Sequence, residues 1–282
     1  MLAPEIAVVL FSVLGLLIGS FLNVVIYRLP KMLEQHWAAE CAQLSGKQPD
    51  PTEPFNLILP RSRCPHCGHT ISWYENIPVL SFVWLKGKCS ACRAPISPRY
   101  PLVEMASAAF FAYCAARWGA SSTALAWSGL AAALLTLGLI DWDTTLLPDD
   151  ITLPLIWSGL LAANLGLIIT PPDQALWGAV AGYLSLWLIY WAFRILTGKE
   201  GMGYGDFKLF AALGAWFGWP ALISIILMAS LVGAVAGIAM KINGKLRPGG
   251  YVPFGPFLAA SGLCALVLGP QAVLALIGLH IS

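Results

Sequence analysis

Long apolar stretches separated by short polar breaks recur along almost the whole chain. A helix of about 20 apolar residues spans the roughly 30 Å hydrocarbon core of a bilayer. The pattern therefore predicts transmembrane helices near residues 5–27, 101–118, 122–140, 151–170, 175–197, 207–219, 220–241 and 256–279. Only Trp219-Pro220 divides the sixth stretch from the seventh. We expect an all-α polytopic membrane protein with about eight transmembrane helices.

The composition indicates that lipid surrounds most of the chain. Apolar residues make up 58% of the sequence and charged residues 11%, whereas a soluble domain carries about 25% charged residues. The formal net charge of +2 is too small to indicate a nucleic-acid partner. No Lys or Arg precedes the first apolar stretch and no small-x-small cleavage site follows it. We therefore expect a retained span and not a signal peptide.

Basic residues are concentrated in residues 28–100, between the first apolar stretch and the second. Nine of the 16 Lys and Arg residues lie there, and the segments 194–208 and 241–247 hold six more. Loops rich in Lys and Arg face the cytoplasm. The eight-span topology then places all three segments in the cytoplasm and leaves only Arg117 on the other side. Both termini are expected to face the periplasm.

This layout predicts three parts. Residues 1–27 form the first transmembrane helix, residues 28–100 form a small cytoplasmic module, and residues 101–282 form a membrane domain with seven further helices. Within the module, residues 32–60 contain four prolines among scattered polar residues. We expect a loop or a short helix there, because proline interrupts helices.

Four of the seven cysteines lie in that module as two Cys-x-x-Cys pairs, Cys64 with Cys67 and Cys89 with Cys92. Two such pairs can bring four thiolates to one zinc ion in a tetrahedron. Two disulfides or four free thiols are the alternatives, but structural disulfides are rare in the reducing cytoplasm. Four thiolates leave no open position for water or substrate, so the predicted zinc ion is structural.

The other cysteines and the nearby histidines have simpler interpretations. His66 and His69 are expected to be solvated surface residues, with a role as substitute zinc ligands as the alternative. Cys41, Cys114 and Cys264 have no partner in any spacing pattern. We interpret these three as loop or buried apolar residues.

Acidic residues are gathered at the cytoplasmic ends of two predicted spans. Those after the third span are Asp141, Asp143, Asp149 and Asp150, and the one before the sixth is Asp206. A carboxylate at membrane depth is costly and therefore indicates function. When two carboxyl groups come close, one keeps its proton while the other stays charged. Such a pair can activate water and protonate a leaving amine, which is the chemistry of aspartic proteases.

Several acidic residues also have purely structural interpretations. Asp149 or Asp150 is expected to cap the N-terminus of the fourth helix. Asp143 is expected to be a solvated loop residue or a neighbour that tunes the pair. Glu104, at the start of the second span, is expected to be a simple interfacial carboxylate.

Longer motifs run through nearly the whole chain in a fixed order. They are Gly19-Ser-Phe-Leu-Asn-Val-Val-Ile-Tyr-Arg-Leu-Pro30, Arg61-Ser-Arg-Cys-Pro-His-Cys67, Asn76-Ile-Pro-Val-Leu-Ser81, Gly87-Lys-Cys-Ser-Ala-Cys92, Ile96-Ser-Pro-Arg-Tyr-Pro-Leu-Val-Glu104 and the two aspartate segments, the second being Gly201-Met-Gly-Tyr-Gly-Asp206. With these motifs the sequence resembles the type IV prepilin peptidases, the GxGD-type aspartic peptidases that process prepilins and type II secretion pseudopilins. Several long motifs in the correct order are far more specific than any one of them.

The resemblance implies two catalytic aspartates. Asp206 is the aspartate of the Gly-x-Gly-Asp motif, and counting back seven residues from Pro148 gives Asp141, in preference to Asp143. The four cysteines match those of bifunctional members, which also methylate the new N-terminal residue with S-adenosylmethionine. Residues 28–100 contain no Gly-rich strand-to-helix signature, so the methyltransferase residues are not assigned.

The expected function is therefore leader cleavage and N-methylation of prepilin-like substrates at the cytoplasmic face of a bacterial inner membrane. One alternative is an ion-coupled transporter, although transport sites favour the midplane and these aspartates lie at one interface. A second alternative is a non-enzymatic assembly protein of a secretion system that uses the cysteine module for docking. A third is a peptidase without methylation, against which the four cysteines argue.

Overall fold

Helices account for almost all regular structure in the computed structural model, which describes residues 3–46, 54–244 and 252–272. Within these ranges there are nine α-helices, one 3-10 turn (Trp73–Asn76) and no β-structure beyond isolated bridges. The α-helices are α1 (Pro4–Leu44), α2 (Leu80–Trp84), α3 (Arg99–Trp118), α4 (Ser122–Thr144), α5 (Asp149–Asn164), α6 (Pro172–Thr197), α7 (Tyr204–Phe217), α8 (Trp219–Ile242) and α9 (Gly255–Leu268). The predicted all-α fold class is confirmed.

Helix length and hydropathy support a multi-pass membrane protein. In the described part of the chain, α1, α4, α6 and α8 are long and apolar enough to cross a bilayer. By contrast, α5, α7 and α9 have 14 to 16 residues. The helix α3 has 20 residues and carries a charged side chain at Arg99, Glu104 and Arg117. The count of eight spans stays a prediction.

The first helix is longer than its apolar stretch. α1 contains 41 residues and continues to Leu44, so the predicted loop or short helix is wrong for residues 32–44. Those residues include many good helix formers, and the prolines after Pro30 come only beyond the helix end. The buried Arg28 guanidinium ties α1 to the next segment, since it donates to the Asn56 and Pro60 carbonyls at 2.8 Å and 2.6 Å.

Glycine and proline set several helix boundaries. α6 begins with Pro172 at its first position and is followed by Gly198 in the left-handed conformation. Gly218, with φ of 81°, separates α7 from α8, so the sixth and seventh apolar stretches form two helices. Gly269, with φ of 85°, ends α9 inside the predicted eighth stretch. Residues 273–279 of that stretch lie outside the described residues.

The segment 141–150, which separates the predicted spans 122–140 and 151–170, is partly helical. α4 extends through Thr144, and only residues 145–148 connect it to α5. Asp141 and Asp143 therefore lie in the last turns of α4. Their positions on that helix decide which of them is buried.

The chain divides into two compact units, Met1–Ser128 and Gly129–Ser282. In the first unit, α1 packs along α3 through two glycines four residues apart. A Cβ atom added to Gly15 would lie 2.7 Å from Ala108 Cα, and one added to Gly19 would lie 2.7 Å from Glu104 Cα. Small residues allow membrane helices to approach this closely.

In the second unit, α7 is the central helix and packs against α5, α6, α8 and α9. Every residue of α7 from Leu209 to Trp216 is buried. The backbones of Gly178 on α6 and Gly214 on α7 are in direct contact. The indole Nε1 of Trp216 donates to the Leu155 carbonyl at 2.9 Å. This packing holds the N-terminal turn of α7, and Asp206 within it, in a fixed position.

Candidate active site and metal centre

Asp141 lies on the buried side of α4 and is 4% exposed. Asp143, two positions later, is exposed. Successive residues of an α-helix are about 100° apart, so these two side chains leave the helix in nearly opposite directions. The difference in burial supports Asp141 over Asp143 as the first predicted catalytic aspartate.

Asp206 lies in the first turn of α7 and is 3% exposed. The backbone N–H of Gly203, the N-cap residue, donates to Asp206 Oδ2 at 3.2 Å. Carboxylates are favoured at helix N-termini because the backbone N–H groups and the helix dipole are positive there. Asp206 Oδ1 is buried and has no hydrogen-bond partner among the described residues. This oxygen is available for a water molecule or a substrate.

Close contacts among Gly205, Leu147 and Gly255 link the segment that contains Asp206 to the one that contains Asp141. A Cβ atom added to Gly205 would lie 2.6 Å from Leu147 Cβ. One added to Gly255, at the start of α9, would lie 2.6 Å from Asp141 Oδ2 and 3.0 Å from Leu147 Cδ1. The Asp206 carboxyl group is within electrostatic range of Asp141. The second unit thus brings the two acids together, although 65 positions separate them in the sequence.

This arrangement has the elements of acid–base chemistry at a single place. A pair of buried carboxyl groups that shares one proton offers a base beside an acid. The base can take a proton from water, and the acid can give one to a leaving group. Burial of both groups keeps bulk water away from the reacting atoms.

Gly255 and Leu147 belong to the surroundings of the aspartates, although no sequence motif singles them out. Gly255 lies within Pro253-Phe-Gly-Pro256, between two prolines. That signal is equally typical of an ordinary turn before a helix. Leu147 is one leucine among many, so no sequence signal distinguishes it.

The prediction that Asp149 or Asp150 caps the fourth helix is wrong. The N-cap residue of α5 is Pro148, and both aspartates lie in the first helical turn, where the helix dipole favours them. Asp149 has a different partner, because both of its carboxylate oxygens accept from Lys208 Nζ at 2.7 Å. The ion pair joins the start of α5 to α7, two residues after Asp206.

An arginine on α6 holds the segment that precedes Asp206. Arg194 Nη1 donates to the Tyr190 hydroxyl at 3.0 Å, and Arg194 Nη2 lies 3.5 Å from Glu200 Oε1. Tyr190 is 2% exposed, and its ring centroid lies 5.2 Å from that of Tyr204. These contacts anchor both ends of the glycine-rich segment to one side of α6.

The four predicted zinc ligands come together in the first unit. The Sγ atoms of Cys64, Cys67, Cys89 and Cys92 all lie within 4.8 Å of one another, and those of Cys64 and Cys92 are 3.8 Å apart. A zinc–sulfur distance of about 2.3 Å in a tetrahedron requires about 3.8 Å between sulfur atoms. A disulfide requires about 2.05 Å, and all seven cysteines are free thiols. The cluster can therefore hold a zinc ion.

The two Cys-x-x-Cys turns have the same backbone geometry. Gly68 N–H donates to the Cys64 carbonyl at 2.9 Å, and Arg93 N–H donates to the Cys89 carbonyl at 3.1 Å. In both turns the residue that follows the second cysteine adopts positive φ, 72° at Gly68 and 60° at Arg93. The first turn has the glycine that this conformation favours, whereas the second has an arginine.

The histidines near the cluster differ from each other. His66 is exposed, as expected. His69 is not simply a solvated residue, because its Nε2 lies 3.3 Å from both Glu75 Oε2 and Ser90 Oγ. The expectation of a solvated His69 is therefore wrong. Hydrogen bonds from Ser90 and from the Ser72 backbone N–H lower the pKa of Glu75 to about 2.

The remaining cysteines lie apart from the cluster. Cys41 is exposed near the end of α1, and Cys114 is fully buried in α3. Cys264 is partly buried in α9. These positions agree with their interpretation as loop or buried apolar residues, except that Cys41 belongs to a helix.

Glu104 is buried, so its interpretation as a simple interfacial carboxylate is wrong. It is 8% exposed, and its Oε2 accepts the Val79 N–H at 2.7 Å. It lines a cavity of about 480 Å³ within the first unit. The lining comes from α1 between Ser20 and Arg28, from the module between Ser62 and Ser97, and from the start of α3.

Comparisons with known proteins account for both units. A family model for the bacterial peptidase A24 N-terminal domain matches residues 13–118, and one for the type IV leader peptidase family matches residues 128–238. A prepilin leader peptidase/N-methyltransferase from Pseudomonas aeruginosa is 52% identical over 259 residues, which are 92% of this chain and 89% of that protein. The chain belongs to the type IV leader peptidase family.

Relatives with the same name in other bacteria match this chain to a similar extent. The Burkholderia pseudomallei protein is 50% identical over 94% of this chain and 87% of its own length. The Aeromonas hydrophila protein is 52% identical over 93% of this chain and 90% of its own length. No solved structure matches the chain. Family membership makes the chain an enzyme, and the transporter and assembly-protein interpretations are not favoured.

The two family regions divide the candidate site residues. The region 13–118 contains the cysteine cluster and Glu104. The region 128–238 contains Asp141 and Asp206. The region that matches the peptidase family thus contains the buried acids. The region that matches the N-terminal domain contains the candidate zinc site and the cavity.

Proposed function

We propose that this chain cleaves the leader peptide from type IV prepilins and type II secretion pseudopilins and then methylates the new N-terminal amine. The observation that carries the proposal is the buried pair of carboxyl groups of Asp141 and Asp206 in a member of a leader peptidase family. The relatives are named prepilin leader peptidase/N-methyltransferase, which supports this substrate class and both reactions.

In the proposed cleavage step, Asp141 and Asp206 share one proton. The ionised carboxylate takes a proton from a water molecule, whose oxygen attacks the scissile carbonyl carbon. The protonated partner donates a hydrogen bond to the carbonyl oxygen and stabilises the tetrahedral intermediate. Transfer of a proton to the leaving nitrogen then breaks the carbon–nitrogen bond. Asp206 Oδ1, which lacks a hydrogen-bond partner among the described residues, is our candidate contact for the attacking water.

The proposed function requires two cofactors, zinc and S-adenosylmethionine, and divides the chain into a zinc module and a membrane peptidase domain. A structural zinc ion bound by the four cysteines of the cluster would supply much of the folding energy of residues 28–100. S-adenosylmethionine supplies an electrophilic methyl group when it is bound. Residues 1–27 and 101–282 would form the membrane peptidase domain, with the zinc module inserted in sequence after the first apolar stretch.

We place the protein in the bacterial inner membrane with the zinc module and the aspartates facing the cytoplasm. The support is the distribution of charge, since the eight-span topology puts 15 of the 16 Lys and Arg residues on one side. A prepilin is one apolar helix with a short basic leader on the cytoplasmic side, as the family resemblance implies. Its scissile bond would then meet the aspartates at the same interface.

The test is cleavage of a purified prepilin in detergent, followed by mass spectrometry of both fragments. We expect Asp141→Asn and Asp206→Asn each to reduce the cleavage rate by about 10³-fold or more, because each removes one member of the acid–base pair. Asp143→Asn and Asp150→Asn are matched controls at exposed positions and should cleave at nearly the wild-type rate. The wild-type product should carry the mass of one added methyl group when S-adenosylmethionine is present.

Different failures would have different meanings. A wild type that cuts no prepilin or pseudopilin would refute the proposed activity. An inactive Asp143→Asn beside an active Asp141→Asn would keep the activity but move the first catalytic residue. Cleavage without methylation would leave only the peptidase half of the proposal.

A further inference from the structure

The first unit contains a buried carboxyl group without a basic partner. Glu104 accepts hydrogen bonds from the Val79 N–H and from Ser20, and among the described residues it forms no ion pair with a Lys, Arg or His. Charged groups inside proteins are normally paired or bind a ligand. Glu104 faces the 480 Å³ cavity, so a cation that enters the cavity can supply this partner.

The backbone that holds Glu104 is strained. Val79 has φ of 59° and ψ of −47°, a conformation that β-branched residues rarely adopt. Its N–H donates to Glu104 Oε2 at 2.7 Å. Strained residues of this kind cluster at functional sites, where the surrounding structure holds them in place. The strain at Val79 therefore supports a functional role for the carboxyl group that it positions.

A second carboxylate lines the same cavity. The Glu75 side chain is 8% exposed, and its Oε2 accepts the Ser72 N–H at 2.7 Å. Its basic neighbour among the described residues is His69, with 3.3 Å between His69 Nε2 and Glu75 Oε2. The wall of the cavity thus presents two oriented carboxyl groups among basic residues, which suits a ligand that carries groups of both charges.

The size and the remaining lining fit one such ligand. Binding sites for small molecules and cofactors have volumes of about 300–1,000 Å³. Tyr27, Phe82 and Tyr100 add aromatic surface. The basic lining residues are Arg63, His66, His69 and Arg28, whose guanidinium already donates to two carbonyls. Aromatic faces bind cations and flat heterocycles, and a guanidinium binds a carboxylate. S-adenosylmethionine carries a sulfonium cation, an ammonium group, a carboxylate and an adenine ring, so these residues fit its chemistry.

We propose that this cavity binds S-adenosylmethionine, with Glu104 and Glu75 as the carboxylates that recognise its cationic groups, and that the N-terminal amine is methylated there. This inference rests on the methylation half of the proposed function, and it assigns that reaction to the cavity of the first unit. The aspartates of the second unit take no part in this binding.

The proposed methylation is balanced in atoms and charge. The N-terminal ammonium first gives one proton to a carboxylate of the cavity wall, from which the proton leaves to solvent. The lone pair of the resulting amine then forms the nitrogen–carbon bond to the methyl group. The sulfur–carbon bond breaks with its electron pair on sulfur, so the sulfonium becomes a neutral thioether and the product is a methylated ammonium.

The test is calorimetric titration of S-adenosylmethionine into the purified, zinc-loaded full chain in detergent. We expect Glu104→Gln and Glu75→Gln each to raise the dissociation constant about tenfold or more, because each removes a negative charge from the cavity. Glu40→Gln is a matched control, since Glu40 is exposed on α1 and does not line the cavity. Its dissociation constant should equal that of the wild type.

Two further measurements separate loss of the site from loss of the fold. Wild-type rates of leader cleavage and an unchanged zinc content would show that the glutamate variants are folded. Ser81→Trp narrows the cavity from its wall while keeping both carboxylates, and it should also weaken S-adenosylmethionine binding about tenfold or more.

The outcomes distinguish this inference from the proposed function. Equal affinity in the wild type, both glutamate variants and Ser81→Trp would overturn the cavity assignment while methylation stands. A wild type that cleaves but neither binds S-adenosylmethionine nor methylates would overturn both the assignment and the methylation. Weaker binding in all three variants, with leader cleavage retained, would support the cavity as the site.

Discussion

Gly255 packs directly on the Asp141 carboxyl group, because a Cβ atom added to Gly255 would lie 2.6 Å from Asp141 Oδ2. The start of α9 therefore forms one wall of the site around Asp141. A side chain at Gly255 would have to displace either the carboxyl group or Leu147, whose Cδ1 lies 3.0 Å from the same added atom.

The first prediction concerns this close packing. Gly255→Ala should lower the rate of leader cleavage about tenfold or more, because shifts of about 1 Å in catalytic groups have large effects on rate. The measurement is the initial rate of prepilin cleavage in detergent. Gly129→Ala on α4 is the matched control, since a Cβ atom there would meet nothing within 4 Å. Equal rates in both variants would show that Asp141 does not depend on its contact with Gly255.

The second prediction concerns metal removal. A strong chelator should release one zinc ion per chain and make residues 54–100 sensitive to protease, because four thiolates around zinc supply much of the folding energy of small modules. Cys92→Ser should bind zinc weakly even without chelator, whereas Cys41→Ser, outside the cluster, should retain it. Elemental analysis and mapping of the proteolytic fragments check both expectations. An unchanged digestion pattern after zinc release would contradict a folding role for the metal.

The third prediction uses the difference between the two Cys-x-x-Cys turns. Arg93→Gly should stabilise the zinc-loaded module by about 1 kcal/mol, because Arg93 adopts a left-handed conformation that glycine tolerates without strain. Gly68→Ala should destabilise it by a similar amount. The chelator concentration that removes half of the zinc measures both effects. Arg93→Ala removes the charge but keeps the Cβ atom, so a gain in that variant would assign the effect to charge and not to the backbone.

The fourth prediction concerns the ion pair between Asp149 and Lys208. The Asp149 side chain is 54% exposed and that of Lys208 26%, so solvent screens the attraction. Asp149→Asn should lower the free energy of unfolding by less than about 1 kcal/mol. Reversible unfolding in mixed micelles measures this change. The double variant with Lys208→Met should add little further loss, and a large additional loss would show that Lys208 has another essential partner.

Hydropathy alone predicts most of the helices, because membrane helices need long apolar stretches in order to contact lipid. It does not predict where a helix ends. The polar residues 32–44 continue α1, and Asp141 continues α4 beyond the apolar stretch 122–140. Backbone hydrogen bonding and helix propensity extend these helices, and neither is measured by hydropathy.

Local spacing similarly predicts the cysteine cluster, because two ligands with two residues between them in a tight turn already point to one place. It does not reveal the partners of Glu104 or His69, which come from segments distant in sequence. Their burial results from the packing of the module within the first unit.

The sequence by itself determined the helical class, the zinc-ligand set as a prediction, and the motifs that nominate Asp141 and Asp206. Only the tertiary structure decided that Asp141 is buried and Asp143 exposed, that Gly255 contacts the first acid, and that Glu104 faces a cavity. The physical reason is that motifs and apolar patterns record local requirements of the chain. The surroundings of a buried carboxyl group depend on which distant helices pack against it.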